Sequence, residues 1–183
     1  MELFELAARE APFDHTAAAL ATATREGVPT VRTVLVRRID RAGLSFFTNY
    51  DSQKGRDLAS NPVAALCFYW PWINHQVRAE GPISRLTAEE SDSYFAGRPR
   101  ESQIGAWASR QSEPMASRDE LDRRWREFEL QFAGQLVSRP PNWGGYRLSP
   151  ERLEFWKAGE FRLHERWLYT HTGEGWTMVD LFP

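Results

Sequence analysis

The sequence predicts a mainly β chain of the α+β class, whose strands close into an antiparallel barrel with a few peripheral helices. Short apolar runs of strand length dominate its first half and return in its last third. The early runs are joined by short, turn-forming connections, which suit antiparallel strands, since parallel strands need a long crossover. Helix-start patterns are few. The length of 183 residues suits one domain over residues 1–183.

Five strands are predicted before residue 90. The clearest, Thr30–Arg38, is rich in β-branched residues and partly alternates between apolar and polar positions. Turn-type segments precede and follow it at Arg25–Pro29 and Asp40–Gly43. Gly81–Pro82 is expected to interrupt the fifth strand. The five runs are Ala18–Thr24, Thr30–Arg38, Leu44–Thr48, Ala64–Trp70 and Gln76–Leu86.

Three helices are predicted from their capping residues. Ser52 can cap a helix that reaches Leu58, and Thr87 with Glu90 forms a capping-box pattern for a helix to about Phe95. Ser117 and Glu120 repeat this pattern at the start of the longest helix. An apolar stripe on that helix is expected to pack in the core or at a dimer contact; it consists of Leu121, Trp125, Phe128 and Phe132.

The two ends of the chain complete the predicted domain. Residues 1–15 are expected to form a short N-terminal helix or arm. Residues 143–183 are expected to return to strands, with a hairpin turn at Thr170–Gly175. The four predicted strands are Trp143–Leu148, Arg152–Trp156, Arg166–Tyr169 and Trp176–Leu181.

Composition narrows the possible functions. The formal net charge of −2 disfavours a general nucleic-acid binder. No apolar run approaches the ~18 residues of a membrane helix, and the N-terminus lacks the apolar region of a secretory signal. The single cysteine, Cys67, cannot form an internal disulfide. We therefore expect a cytoplasmic protein with no membrane or nucleic-acid partner.

The common catalytic and nucleotide-binding motifs are absent from the sequence. It contains neither of the glycine-rich phosphate loops, GxGxxG and GxxxxGK[ST], and no HExxH, paired CxxC or GxSxG motif. The four histidines show no metal-ligand spacing, so no metal site is predicted. Cys67 lies in an apolar strand, which favours an inert thiol.

Three polar segments favour anion binding. Asp51–Gly55 places a hydroxyl and a lysine at a helix start, where free N–H groups favour phosphate. Tyr94–Ser112 carries three arginines in what is expected to be a loop, and arginines bind phosphate in bidentate fashion. In Glu154–Arg166, the basic residues Arg162, His164 and Arg166 alternate and would share one face of a strand. The competing interpretations are a capped surface helix, solvated arginines and an exposed edge strand.

At these segments the sequence resembles the pyridoxamine 5′-phosphate oxidase family. The matching motifs are RTVLVR at Arg32–Arg37, FTNYDSQKG at Phe47–Gly55, RPRESQIGAWASRQS at Arg98–Ser112 and EFW…RLHER at Glu154–Arg166. The resemblance extends from about Asp14 to Pro183. It implies a split β-barrel homodimer with two FMN sites at the subunit interface, and C-terminal strands that complete the active site.

The resemblance also implies roles for individual residues. Asp14, Arg162 and His164 are expected at the reacting part of the substrate. Arg37, Tyr94, Arg98 and Ser102, together with Arg162 and His164, are expected to bind the substrate. The cofactor residues, some of them from the partner chain, are expected to be Arg32, Thr33, Val34, Leu35, Phe47, Thr48, Gln53, Lys54, Gln76, Gln111, Ser112, Trp156 and Arg166.

The implied reaction is oxidation of pyridoxamine or pyridoxine 5′-phosphate by O₂ to pyridoxal 5′-phosphate, with release of H₂O₂. Three departures from the family pattern bear on it. Arg37 stands where lysine is common, and Gln53 where arginine is common. The chain also begins later than members usually do, so less of an N-terminal arm is expected over the substrate.

Two alternatives stay open. The first is a related flavin oxidase that acts on a phenazine precursor, which carries no phosphate for Tyr94, Arg98 and Ser102 to bind. The second is a non-catalytic split-barrel protein that binds flavin or pyridoxal phosphate. Retention of both Arg162 and His164 argues against the second alternative.

Overall fold

Nine antiparallel strands form the framework of the molecule, which was obtained as a computed structural model and is described for residues 2–183. Five α-helices and two short 3₁₀ turns, Pro71–Ile73 and Glu160–Arg162, accompany the strands. The helices are α1 (Glu2–Arg9), α2 (Gln53–Ser60), α3 (Ala88–Ala96), α4 (Arg100–Ala108) and α5 (Arg118–Gln131). The strands are β1 (Ala17–Ala23), β2 (Pro29–Asp40), β3 (Gly43–Asn49), β4 (Val63–Trp70), β5 (His75–Arg85), β6 (Trp143–Leu148), β7 (Arg152–Lys157), β8 (Glu165–Thr172) and β9 (Gly175–Asp180).

Six strands close into a barrel, which confirms the predicted fold class. The order β4–β1–β2–β3–β6–β5 is closed by pairing of β4 with β5. Strands β7, β8 and β9 extend the sheet outward from β5. The turn of the β8–β9 hairpin lies between the paired residues Thr172 and Gly175, within the predicted loop Thr170–Gly175.

Strand β5 changes partner where a break was predicted. Its residues His75–Glu80 pair with β7, whereas Ile83–Arg85 pair with β6. Gly81 lies at the change, and a Cβ there would approach the Ser149 carbonyl oxygen to 2.2 Å. The strand itself is continuous, so the Gly–Pro pair divides the sheet rather than ending the strand.

Two apolar clusters hold the elements together. The barrel interior buries Leu20, Phe46 and Leu148 almost completely. The second cluster packs α3, α4 and α5 against the start of β6 through Phe95, Ile104, Phe132, Val137 and Trp143. Within the predicted stripe of α5, Trp125, Phe128 and Phe132 contact this cluster, which confirms core packing for that part of the stripe.

The structure forms two of the three predicted helix N-caps. Ser52 accepts a hydrogen bond from the Gly55 N–H, and Thr87 forms the full capping box with Glu90. The capping box predicted at Ser117 is wrong, because its side chain caps nothing and Glu120 accepts from the Ala116 N–H instead. An exposed helix end can be satisfied by water, so neighbouring groups decide between such arrangements.

The segment Tyr94–Ser112 is not the predicted loop. It contains the end of α3 and all of α4. Ile104 and Ala108 lie four residues apart on α4 and are buried, and the Gln103 amide donates to the Phe95 carbonyl oxygen at 2.8 Å. Burial of this face stabilises a helix whose local capping signals are weak.

The prediction of a single strand through Arg162, His164 and Arg166 is also wrong. Strand β7 ends at Lys157, and Arg162 lies in a 3₁₀ turn with φ of +65°. Gly159 approaches the chain closely here, because a Cβ would meet the Leu163 carbonyl oxygen at 2.0 Å. Only Arg166 lies on a strand, so the three side chains do not share one strand face.

Candidate functional site

A cavity of about 530 Å³ lies between strands β2 and β3 and the helical side of the molecule. Its volume is typical of small-ligand sites, which span roughly 300–1,000 Å³. The structure brings eleven of the predicted site residues together in its lining, and it adds Pro99 and Trp143. The eleven are Thr33, Val34, Leu35, Arg37, Phe47, Thr48, Lys54, Tyr94, Arg98, Ser102 and Gln111.

Lys54 is a buried cation at the start of α2. Its Nζ lies 3.2 Å from each of the Thr48 hydroxyl, the Ser52 hydroxyl and the Gln111 amide oxygen. Burial, and then the positive charge of Arg32, lower the pKa of Lys54 to about 8. The lysine therefore sits among neutral acceptors at a helix N-terminus, an arrangement that favours an anionic ligand.

The backbone at this helix start is packed tightly. A Cβ on Gly55 would lie 2.0 Å from the Tyr50 carbonyl oxygen, so this position requires glycine. The close approach holds the first turn of α2 against the end of β3 and fixes the position of the Lys54 backbone. Gln53, which precedes Lys54, is exposed and does not line the cavity.

Arg32 lies on β2 next to the cavity lining rather than in it. Its guanidinium donates to the hydroxyls of Thr22 and Thr30 at 2.6 Å each. Asp57 on α2 lies 3.7 Å from Arg32 Nη2. The side chain is partly buried, and its charge reaches Lys54, whose pKa it lowers.

Arg98 is the second cation of the cavity. It follows α3, and its guanidinium lies 4.6 Å above the Trp143 ring and 5.5 Å from the Phe95 ring. Its Nη1 is buried without a hydrogen-bond partner among residues 2–183. Burial lowers the pKa of Arg98, yet a guanidinium stays charged at neutral pH. Because Arg98 lines the cavity, this donor is available to an acceptor on a ligand.

Aromatic rings form one wall of the cavity between the helices and the sheet. The rings of Phe47 and Tyr94 stack with centroids 3.6 Å apart and an angle of 5°. Trp143 is parallel to both rings and also carries Arg98 on its face. Sequence reasoning missed Trp143, because a tryptophan at a strand start carries no local sign of a ligand role.

Arg37 occupies an irregularity in β2. The register with β3 shifts between Val36 and Arg38, which is the signature of a β-bulge. Arg37 Nη1 lies 3.3 Å from both the Asp14 carboxylate and the Thr16 hydroxyl. The pKa of Asp14 is lowered, chiefly by the hydrogen bond from the Thr16 hydroxyl and less strongly by Arg37. Asp14 is thus ionised at neutral pH and holds Arg37 at the cavity.

The remaining predicted residues form a second group on the outer strands. Gln76, Trp156 and Arg166 are directly opposite one another across β5, β7 and β8. Arg166 donates to the buried Glu154 carboxylate at 3.0 Å and to the Phe182 carbonyl oxygen at 2.9 Å. None of these residues lines the cavity of the same chain.

His164 and Arg162 lie close to this second group. The His164 ring is centred 4.7 Å from Trp156, and its Nδ1 accepts the Gly159 N–H at 3.2 Å. The neutral ring therefore carries its proton on Nε2. Arg162 is exposed on its 3₁₀ turn. Ser112 is also exposed, in the turn that follows Gln111.

Comparison with known families identifies the family of this chain. A family model described as pyridoxamine 5′-phosphate oxidase matches residues 4–132. The chain belongs to the pyridoxamine 5′-phosphate oxidase family. A second model, described as the pyridoxine 5′-phosphate oxidase C-terminal dimerisation region, matches residues 143–183. Trp156, Arg162, His164 and Arg166 all lie within this second region.

Similar proteins of the pyridoxamine 5′-phosphate oxidase family cover nearly the whole chain. The pyridoxine/pyridoxamine 5′-phosphate oxidase of Anaeromyxobacter dehalogenans is 54% identical over 177 residues, which is 97% of this chain and 89% of the relative. That of Rubrobacter xylanophilus is 54% identical over 180 residues, which is 98% of this chain and 83% of the relative.

Solved structures agree with the fold. PhzG from Burkholderia lata 383, in complex with tetrahydrophenazine-1-carboxylic acid, superposes with a TM-score of 0.94 at 32% identity. The match covers all of this chain and 89% of PhzG. A pyridoxamine 5′-phosphate oxidase-related, FMN binding protein from Nostoc punctiforme gives a TM-score of 0.80 at 17% identity, over 100% of this chain and 96% of that one, and it supports the fold alone.

No group of three or more potential metal ligands occurs in residues 2–183. None of the helices described there has the length and apolar character to cross a bilayer. Burial raises the pKa of the Cys67 thiol, which is consistent with the unreactive thiol predicted from its apolar strand.

Proposed function

We propose that this chain is an FMN-dependent oxidase that converts pyridoxamine 5′-phosphate, pyridoxine 5′-phosphate or both to pyridoxal 5′-phosphate, with O₂ reduced to H₂O₂. Arg37, Lys54 and Arg98 line one cavity, and the observation that carries the proposal concerns Lys54 and Arg98. Neither has a carboxylate partner among residues 2–183. Two phosphate-bearing molecules in contact would supply the two missing anions.

The donor set near Lys54 fits the phosphate of FMN. Lys54 lines the cavity at the start of α2, with the Thr48 hydroxyl 3.2 Å from its Nζ. The cofactor would continue along Thr33–Leu35 and between Phe47, Thr48 and Gln111, with Arg32 beside it. The sequence has no dinucleotide fingerprint, so we assign FMN rather than FAD. Gln53 and Ser112 belong to the proposed cofactor set by family resemblance.

The other cation defines the proposed substrate end. Arg98, with Tyr94 and Ser102, offers a guanidinium and two hydroxyls to a phosphate. Arg37 would add a second cation, held in place by Asp14. Phosphate binding at this end would fix the pyridine ring over the cofactor and reduce the entropy lost on reaching the transition state.

A homodimer would complete the site. The match of residues 143–183 to a dimerisation region supports a second copy as the partner. In such a dimer, Gln76, Trp156 and Arg166 would reach the cofactor of the partner chain, and Arg162 with His164 would reach the pyridine ring there.

The protein's contribution to the reaction is positioning and proton handling. FMN, when bound, supplies the redox chemistry by accepting a hydride from the substrate carbon. His164 presents an Nε2–H donor, because its Nδ1 accepts the Gly159 N–H. It would therefore orient the substrate by donating a hydrogen bond. Arg162 would add a positive charge beside the ring, and the ionised Asp14 would accept a hydrogen bond from the substrate amine.

Turnover provides the direct test. The purified protein, loaded with FMN, is mixed with each phosphorylated substrate in air, and H₂O₂ and pyridoxal 5′-phosphate are measured. We expect equimolar formation of both products. Mass spectrometry of the heat-released cofactor should give FMN. Tight flavin binding without turnover of either substrate would instead support a non-catalytic flavin binder.

The likeness to PhzG favours one alternative, an oxidase acting on a phenazine precursor. A carboxylate could also bind at Arg98, so the charge alone does not separate the two functions. A comparison of substrates separates them. Oxidation rates are measured for pyridoxamine with and without its phosphate and for tetrahydrophenazine-1-carboxylic acid. We expect strong preference for the phosphorylated amine. Faster oxidation of the tricyclic compound would establish the alternative.

A further inference from the structure

We propose that Asp57 is a positioning residue that holds Arg32 at the cofactor side of the site. Asp57 lies on α2, three residues after Lys54, and only 5% of it is exposed. Its Oδ2 accepts hydrogen bonds from the Thr22 hydroxyl at 2.7 Å and the Thr30 hydroxyl at 2.8 Å. A buried carboxylate with two such donors is fixed in orientation.

The two threonines connect Asp57 to Arg32. Each hydroxyl can donate one hydrogen bond and accept others. Thr22 and Thr30 accept from Arg32 Nη1 and Nη2 at 2.6 Å and donate to Asp57. Arg32 Nη1 also lies 3.4 Å from the Leu20 carbonyl oxygen. The guanidinium is therefore held through two parallel hydroxyl bridges, each of which ends on the same carboxylate oxygen.

This network joins the two elements that carry the proposed cofactor cations. Arg32 belongs to β2, whereas Lys54 and Asp57 belong to α2. The two cations are close enough for Arg32 to lower the pKa of Lys54. Burial lowers the pKa of Arg32, and the charge of Asp57, 3.7 Å from Arg32 Nη2, opposes this effect. Asp57 thus fixes the direction of Arg32 and the position of α2 relative to β2.

The inference rests on the proposed function, since it assumes that Arg32 faces FMN. Direct FMN titration of the apoprotein, followed by quenching of flavin fluorescence, separates the two ideas. Absence of FMN binding by the wild-type protein would refute the proposed function. If the wild-type protein binds FMN and an Asp57 variant binds it with the same affinity, only the positioning role is refuted.

The decisive variant is Asp57→Asn, which keeps the shape and removes the charge. We expect the FMN Kd to rise roughly tenfold, as for loss of one charge-assisted contact. The KM for pyridoxamine 5′-phosphate at saturating FMN should stay within about twofold, because Arg98 is not part of this network. The matched control is Asp122→Asn, which breaks the exposed Arg118–Asp122 pair at 3.3 Å and should leave the FMN Kd unchanged.

A double-mutant cycle tests whether Asp57 acts through Arg32. In an Arg32→Met background, Asp57→Asn should raise the FMN Kd by less than about twofold. A full tenfold effect in that background, or none in the wild type, would overturn the proposal. Should Asp57→Asn fail to fold, Thr30→Val decides the question: it removes one bridge and should weaken FMN binding severalfold, and an unchanged Kd would refute the role.

Discussion

Replacement of Arg98 by methionine should separate substrate binding from cofactor binding. Methionine keeps an apolar stem against the Trp143 ring and removes the guanidinium, whose Nη1 has no protein partner among residues 2–183. In the proposed complex this nitrogen donates to the substrate phosphate. Lys54, at the other phosphate, keeps all three of its hydrogen bonds in the variant.

The magnitude follows from the contact that is lost. A hydrogen bond to a charged group contributes about 1.5–3 kcal/mol, which corresponds to roughly a 10- to 150-fold rise in KM for pyridoxamine 5′-phosphate. If the phosphate is held equally in the ground and transition states, kcat should change little. The thermal stability of the free protein should not fall, because the wild type buries an unpaired donor that the variant lacks.

The assay is steady-state H₂O₂ release against substrate concentration, together with FMN titration of the same preparation. Arg123→Met serves as control, since it removes an exposed arginine that pairs with Glu127 on the surface of α5. Equal losses of FMN and substrate affinity in Arg98→Met would place Arg98 at the cofactor phosphate. An unchanged KM would remove Arg98 from the phosphate site altogether.

Three further predictions concern the cofactor, the dimer and the C-terminal region. Because the pKa of Lys54 in the free protein is about 8, its ammonium group is present below that pH and lost above it. FMN affinity should therefore fall as the pH rises through 8, and an FMN Kd that stays constant up to pH 9 would contradict this. Light scattering should give about twice 21.2 kDa, and a monomer that retains FMN would contradict the shared site. Arg166→Ala should weaken FMN retention, whereas Arg162→Ala and His164→Ala should retain FMN and lower kcat/KM; wild-type values in all three variants would rule out the proposed roles.

Local signals predicted much of the barrel. The turn-forming connections predicted the antiparallel pairing of β1 with β2 and of β2 with β3. Gly81–Pro82 marked the point where β5 changes partner. The capping pair of Thr87 and Glu90 started α3 as expected. Helix α4 was missed because its stability comes from burying Ile104 against a distant part of the chain rather than from its own capping residues.

The cation at the helix start was predictable, but its supporting residues were not. Lys54 lies close after the capping serine Ser52, so a short sequence motif predicts its position at the helix start. Asp57 acts on groups that lie 35 and 27 positions away in the sequence. Trp143 meets Arg98 only after α3 has packed on β6. Such contacts depend on the tertiary fold, and no spacing rule encodes them.

The structure divides the proposed site residues of one chain into two groups. Lys54 and Arg98 line a cavity built from the barrel and the helices, whereas Trp156 and Arg166 lie on strands that extend away from β5. Arg166 is already held on one side by Glu154 and the Phe182 carbonyl oxygen. Trp156 and Arg166 are held in place on these strands but do not line the cavity of their own chain. This arrangement suits their contact with a second copy of the chain. Formation of the complete site would then depend on assembly of the dimer.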